Sequence, residues 1–229
     1  MTACSIWRYE HQPMSRKRVA VLISGRGSNM AALTEAAKDK TFPAEIVLVL
    51  SNRADAGGLA DAAKAGIPTA VVEHRSYPDR AAFDAEIDRR LRAADVGLVC
   101  LAGFMRLLTP GFVGRWRNRM LNMHPALLPA FKGLDTHKRA LAAGTKIHGA
   151  TVHFVMAEMD SGPIVAQGAV AVHDGDTEAA LSSRVLKIEH KIYPLALKLL
   201  AEGRIRVENG RCLIDGVQVP DTAPLVPSV

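Results

Sequence analysis

Long apolar runs are missing from this sequence, and their absence excludes an integral membrane protein. The longest nearly unbroken apolar stretch, from Val96 to Met105, has ten residues, about half of the ~20 that a membrane-spanning helix needs. The first residues hold no apolar segment of signal-peptide length, because Arg8, Glu10 and His11 interrupt them. We therefore expect no membrane partner.

Cysteine is scarce as well, and its placement excludes two further classes of protein. The three cysteines, Cys4, Cys100 and Cys212, are scattered and form no CxxC pair, which argues against a disulfide framework and a zinc knuckle. The eight histidines show no HExxH spacing, so we expect no metal site. This usage predicts a reducing, cytoplasmic environment.

Aromatic residues make up only 5% of the chain, and the net charge is a mild +6. Half of that charge falls in residues 1–18. We interpret this basic start of the chain, residues 1–17, as a flexible leader. A weakly basic body without a stacking platform predicts no nucleic-acid partner. The sequence leaves open whether translation starts at Met14, and whether the protein is a monomer or a homodimer.

What the chain does contain is an alternation of strands and helices. Short apolar runs predict strands at 18–24, 45–52, 69–73, 96–104 and 119–124. Helical patterns separate them at 30–38, 57–66, 79–94 and 109–116. The second half predicts antiparallel strands at 148–155 and 162–172, a helix at 177–203 interrupted near Pro194, and a hairpin around Asn209–Gly210.

These elements predict the fold class. Strands that alternate with helices favour a single doubly wound, Rossmann-like α/β domain with a mostly parallel central sheet. We place this domain at residues 18–215 and a C-terminal tail at residues 216–229.

A glycine turn, Ser24-Gly-Arg-Gly-Ser-Asn29, follows the first predicted strand. Such a turn at a helix start exposes backbone N–H groups where the helix dipole favours an anion. It lacks the third glycine of a dinucleotide fingerprint and the Gly-Lys-Ser/Thr of a Walker loop. The spacing therefore fits a cradle for one phosphate monoester, and equally a tight turn in which Ser28 or Asn29 caps the helix.

Asn122 and His124 form a second candidate site at the end of the fifth predicted strand. Their side chains share one face because the strand period is two, and this edge of an open α/β sheet is where ligands bind. An amide and an imidazole that converge on one point suit an oxyanion formed during acyl transfer. A capped turn explains the same pair.

Two other positions fit either a site or a structural role. Asp160 precedes Ser-Gly-Pro, which is typical of a turn, and becomes functional only if the fold carries it beside His124. Arg106 follows the central strand, where a cation suits an aromatic, anionic ligand, but a solvated loop residue has the same pattern. Since no GxSxG elbow supports a serine nucleophile, the chemistry would be direct transfer.

Taken in order, the motifs resemble the phosphoribosylglycinamide (glycinamide ribonucleotide) formyltransferase family, folate-dependent enzymes of purine synthesis. The resemblance runs from about residue 18 to about residue 215. It is carried by VLISGRGSNM, SNRADAGGLADAAKAGIP, LAGFMRLLTPGFV, LNMHPALLPAFKGLDTHKRAL, HGATVHFV, MDSGPIV and EHKIYPLAL.

The resemblance implies two small-molecule substrates and a site for each. Glu189 would meet the ribose–glycinamide end of the nucleotide. Its phosphate would be held by Gly27, Ser28 and Asn29. The formyl donor, 10-formyltetrahydrofolate, would be bound by Arg80, Met105, Arg106, Leu107 and Leu108, with Asn122 nearby. Family members often carry His where this chain has Asp135, so we assign Asp135 no role.

The resemblance also implies a catalytic group of Asn122, His124 and Asp160. The glycinamide amine attacks the formyl carbon while Asn122 and protonated His124 donate to the developing oxyanion. Asp160 places an opposite charge beside the imidazole and helps to move a proton between the two nitrogens.

Three alternatives remain beside the transferase. A hydrolase that releases formate from the same folate shares the Asn, His and Asp positions but usually has an extra N-terminal regulatory domain. A transferase acting on charged initiator tRNA usually adds a C-terminal β-domain. A non-catalytic nucleotide-binding module would use the glycine turn alone, and would give no reason for Asn122, His124 and Asp160 to occur together.

Overall fold

A computed structural model describes residues 15–216 and residue 226. The first 14 residues, to which most of the predicted leader belongs, and nearly all of the predicted tail lie outside the described residues. The first strand begins at Lys17, one residue before the predicted start of the domain.

Strands and helices alternate through most of the described chain. The strands are β1 (Lys17–Ile23), β2 (Ala44–Ser51), β3 (Thr69–Val71), β4 (Leu98–Leu101), β5 (Met120–His124), β6 (Ile147–Phe154), β7 (Ile164–Ala171), β8 (Ile205–Glu208) and β9 (Arg211–Ile214). The helices are α1 (Ser28–Ala37), α2 (Gly57–Lys64), α3 (Arg80–Ala93), α4 (Pro110–Arg115), α5 (Thr136–Ala142) and α6 (Glu178–Ala201), with a 3₁₀ turn at His74–Ser76.

Seven strands form one sheet in the order β3-β2-β1-β4-β5-β6-β7. The pairs from β3 through β5 are parallel, whereas β6 and β7 add on antiparallel. The chain moves outward from β1 to β3 and then returns to the other side of β1 as β4, so the strand order switches between β1 and β4. Such a switch opens a crevice at the carboxyl ends of the strands. The predicted α/β fold with a mostly parallel sheet is confirmed.

Both faces of the sheet are covered by helices, as β1 shows. Val19, Val21 and Ile23 belong to one buried cluster, which includes residues of α1 and α6. Ala20 and Leu22 belong to a second cluster, which includes residues of α3 and α4. Consecutive residues of a strand point to opposite faces, and a parallel strand between two helical layers is therefore apolar throughout.

The expected interruption of the last long helix near Pro194 was wrong, because α6 continues to Ala201. Proline costs a helix about 3 kcal/mol. The neighbouring Tyr193, Ala196 and Leu197 are fully buried in the core, and each large apolar side chain contributes about 1.5–3 kcal/mol on burial. Packing therefore outweighs the local penalty. Helix α5 lies where the sequence patterns predicted no element.

Within the described part of the chain, no helix is long and apolar enough to cross a membrane.

Stability should depend on pH through His148, which is buried in β6. Burial and the nearby His137 ring lower the pKa of His148 to about 4, although a backbone hydrogen bond with Pro125 acts to raise it. The unfolded chain titrates near 6.5, so between these two pH values the unfolded state binds more protons. Stability contributed by His148 is thus complete above about pH 6.5 and is lost as the pH falls towards 4.

We expect the free energy of unfolding to fall by on the order of 3 kcal/mol through this residue alone across that window. Burial also lowers the pKa of His137 and His190, which adds to the same trend. Urea unfolding of the wild type and His148→Phe at a series of pH values measures the effect, with exposed His173→Phe as the control. An equally steep pH dependence in His148→Phe would contradict it.

Candidate functional site

A cavity of about 420 Å³ opens at the switch point, beyond the carboxyl ends of β1, β2 and β4. It is lined by residues 24–29, 52–53, 74, 102–103 and 105–106. The predicted phosphate turn and part of the predicted folate segment therefore share one crevice. The lining also includes Arg26, Arg53 and His74, to which the sequence motifs assigned no role.

The glycine turn has a backbone that only glycine provides readily. Gly27 precedes the first residue of α1 with a left-handed φ of 76°. A Cβ atom at Gly27 would stand 2.9 Å from the Cα atom of Gly58, and the Gly58 amide donates to the carbonyl of Gly25 at 3.1 Å. The turn is thus packed directly on the start of α2, and its approach to that backbone leaves no room for a side chain at Gly27.

Asn29 and Glu189 meet beside this turn, although 160 positions separate them. The Asn29 amide donates to the Glu189 carboxyl at 2.6 Å. Burial raises the pKa of Glu189, and the hydrogen bond from Asn29 opposes that rise. Tyr193, one helical turn further along α6, donates to the carbonyl of Leu101 at 3.0 Å. This contact anchors α6 on β4 and brings Glu189 to the ligand edge of the sheet.

The residues predicted to bind folate are not all at the cavity. Met105 and Arg106 line it. Leu107 is 59% exposed, while Leu108 is half-buried against the core of the second face. Arg80 is the first residue of α3 and is exposed, and it is not part of the lining.

The structure brings Asn122, His124 and Asp160 into one cluster. Asn122 and His124 lie on the same face of β5, and Asp160 lies in the loop between β6 and β7. The Nδ1 atom of His124 is 3.3 Å from Oδ2 of Asp160, and its Nε2 atom lies 3.0 Å from the carbonyl of Phe131. Since a carbonyl oxygen only accepts, Nε2 is the donor there.

The carboxylate of Asp160 is held from several sides. Its Oδ2 atom accepts a hydrogen bond from the Gly133 amide at 2.9 Å, and its own backbone is left-handed with a φ of 50°. Aspartate is one of the few side chains that tolerate this conformation. The turn predicted from Ser-Gly-Pro is therefore real, and it aims the carboxylate at His124.

His153 completes the cluster, and the sequence motifs gave it no role. It pairs with Asn122 across β5 and β6. Its Nδ1 atom lies 2.9 Å from the carbonyl of Phe154, and its Nε2 atom lies 3.2 Å from the Asn122 amide nitrogen. Burial lowers the pKa of His153. In the neutral ring Nδ1 carries the proton, so Nε2 accepts from Asn122 and orients its amide. A strand at 148–155 was predictable, but its pairing register was not.

The cluster and the cavity lie on adjacent strands. Asn122 pairs with Leu101 of β4, and the next two residues, Ala102 and Gly103, line the cavity. A ligand that reaches from the glycine turn past the end of β4 would meet the Asn122 side. Among the residues that the structure describes, no group of three or more His, Cys, Asp or Glu side chains could hold a metal ion.

Known proteins are similar to this chain over most of its described length. Residues 17–197 match the sequence profile of the formyl transferase family. The chain belongs to the formyl transferase family. Relatives named phosphoribosylglycinamide formyltransferase and glycinamide ribonucleotide transformylase confirm the narrower family predicted from the motifs.

Three members of this family illustrate the similarity. The trifunctional purine biosynthetic protein adenosine-3 of Bos taurus is 52% identical over 197 residues, which are 86% of this chain and 20% of that protein. The phosphoribosylglycinamide formyltransferase of Escherichia coli is 42% identical over 202 residues, 88% of this chain and 95% of that protein. The crystal structure of glycinamide ribonucleotide transformylase 1 from Symbiobacterium toebii superimposes with a TM-score of 0.85 at 47% identity and covers 87% of this chain and 94% of that one.

The chain thus spans about one fifth of the bovine trifunctional protein and nearly the whole length of the other two.

Proposed function

We propose that this protein transfers the formyl group of 10-formyltetrahydrofolate to the amine of 5'-phosphoribosylglycinamide, a step of purine biosynthesis in the cytoplasm. The observation that carries the proposal is that the glycine turn after β1 and the Asn–His–Asp cluster at β5 lie at the same edge of the sheet, with only β4 between the two strands. A hydrolase or a simple nucleotide-binding module would not need both.

The nucleotide phosphate binds at the glycine turn. The backbone amides of Gly27, Ser28 and Asn29 stand at the N-terminus of α1, where the helix dipole favours an anion. Arg26 also lines this cavity and adds positive charge, whereas the lining Arg53 is paired with Asp55 at 2.7 Å. Glu189, held by Asn29, meets the ribose–glycinamide end.

The folate binds along the residues that follow β4. Met105 and Arg106 offer the cavity an apolar surface and a guanidinium, which suit an aromatic ligand with carboxylates. Leu107, Leu108 and Asn122 extend this side. The exposed Arg80 lies outside the cavity lining and would contact the distal, anionic part of the donor.

The reaction needs one bond formed, one bond broken and one proton moved. The amine nitrogen bonds to the formyl carbon, the bond from that carbon to N10 of the folate breaks, and a proton passes from the amine to N10. Negative charge develops on the formyl oxygen meanwhile, and donors preorganised towards it supply most of the acceleration. No covalent enzyme intermediate is required.

Asn122 and His124 are the donors, and each is prepared by a neighbour. His153 holds one amide hydrogen of Asn122, which leaves the other for the oxyanion. His124 exchanges its bond to the Phe131 carbonyl for one to the substrate oxygen, while Asp160 keeps a negative charge beside the ring. His124 and Asp160 can also relay the proton, through water, from the attacking amine to N10 of the folate.

Incubation with 10-formyltetrahydrofolate, with and without 5'-phosphoribosylglycinamide, tests the proposal. We expect folate consumption that requires the nucleotide, with one formylated nucleotide formed for each tetrahydrofolate released. Consumption without the nucleotide, accompanied by formate, would instead establish a hydrolase. Nucleotide binding with no consumption would establish a binding module.

A further inference from the structure

One buried hydroxyl connects the two halves of the crevice. Ser24 is the first residue after β1 and is only 7% exposed. Its hydroxyl donates to Oδ1 of Asn52, at the end of β2, with a distance of 2.5 Å. It also accepts the backbone amide of Met105, beyond the end of β4, at 2.8 Å. The ends of three neighbouring strands therefore meet at one oxygen atom.

The contact to Met105 spans the crevice where the strand order switches. Regular pairing of β1 with β4 ends at Leu22 and Leu101, followed by one bond from the Ala102 amide to the Leu22 carbonyl at 2.9 Å. Past that point, among the described residues, the hydrogen bond from the Met105 amide to the Ser24 hydroxyl links the glycine turn to the segment after β4. Since the single O–H of Ser24 is donated to Asn52, it is not free to donate to a ligand, and the hydroxyl holds the geometry of the site.

The segment after β4 has a second, independent anchor at its other end. Asp84 of α3 is 1% exposed, and its Oδ2 atom accepts both the amide and the hydroxyl of Thr109, at 2.7 and 2.6 Å. Residues 105–108 are thus held between Ser24, which leads into the phosphate turn, and Asp84, which does not contact that turn. Of the two anchors, only Ser24 can therefore transmit a shift of the glycine turn to residues 105–108.

We infer that Ser24 is a positioning residue that couples nucleotide binding to folate binding, an inference that rests on the proposed function. Phosphate that orders the glycine turn fixes the position of the Ser24 hydroxyl, and hence the amide of Met105 at the start of the folate segment. Folate bound there orders the turn in return, because a coupling free energy is reciprocal.

Calorimetry with a non-reacting pair measures this coupling. The nucleotide is titrated into the protein with and without tetrahydrofolate, which carries no formyl group, and the ratio of the two dissociation constants is the coupling factor. We expect the wild type to show a factor of at least about five, and the same factor when the titration order is reversed. In Ser24→Ala it should fall below about twofold, whereas Ser24→Thr, which keeps the hydroxyl, should retain most of it.

Asp84→Asn is the matched variant at the other anchor, and we expect it to weaken tetrahydrofolate binding while leaving the coupling factor in place. If Ser24→Ala does not fold, Asn52→Ala removes the acceptor of the Ser24 hydroxyl and should lower the factor as well. A wild-type factor near one, or an undiminished factor in Ser24→Ala, overturns the inference. A wild type that binds neither compound would instead contradict the proposed function.

Discussion

Replacing His124 with alanine is expected to lower kcat by a factor of about 10²–10³, the usual cost of removing one oxyanion donor. His124 is buried at the end of β5 and holds the carbonyl of Phe131 and the carboxylate of Asp160 at 3.0 and 3.3 Å. The donor matters most when the oxyanion forms, so kcat should fall more than substrate affinity. Steady-state kinetics with both substrates measures this difference.

Asp160→Asn is expected to lower kcat as well, because it removes the charge beside the His124 ring and keeps the side-chain shape. If the two residues act as a unit, the double variant is little slower than the slower single one. Asp174→Asn is the control, since Asp174 is an exposed aspartate paired with Lys146. Losses in kcat that multiply in the double variant would show that Asp160 acts independently of His124. A kcat of Asp160→Asn within twofold of the wild type would leave Asp160 with the role of a turn residue only.

Replacing Gly27 with valine is expected to raise the KM for the nucleotide at least about tenfold. A left-handed backbone costs an ordinary residue about 1–2 kcal/mol, and each 1.4 kcal/mol is a factor of ten in affinity. The new Cβ atom would also stand 2.9 Å from the Gly58 backbone, so the turn must move away from α2. Calorimetric titration with the nucleotide and with tetrahydrofolate measures both affinities.

The matched control for Gly27→Val is Gly57→Val. Gly57 is the residue before Gly58, and a Cβ atom there would meet nothing within 4 Å. We expect Gly57→Val to keep both affinities close to wild type and Gly27→Val to keep measurable tetrahydrofolate binding. An unchanged nucleotide affinity in Gly27→Val would show that the phosphate does not bind at this turn.

Local patterns were enough to predict much of the site. The turn at residues 24–29 was recognisable because a strand, two glycines and a helix start follow one another directly in the chain. Asn122 and His124 were predicted to share a face, and they do, because the side-chain period of a strand is two. Residues 105–106 were placed at the ligand edge because they follow a strand that is apolar on both faces.

Local patterns do not predict contacts between residues that lie far apart in the chain. The spacing of Asp160 predicted a turn, but its place 3.3 Å from His124 depends on how β6 and β7 pair with β5. The sequence motifs give His153 no role, because its pairing with Asn122 follows only from the register of β5 and β6.

The succession of strands and helices, the glycine turn and the family motifs are each encoded within a few adjacent residues, so they could be predicted from the chain alone. The continuation of α6 through Pro194, the contact of Glu189 with Asn29 and the joining of three strand ends by the Ser24 hydroxyl depend on the folded molecule. The physical reason is that burial and hydrogen bonding between distant segments are properties of the packed sheet and helices, and packing can override local preference.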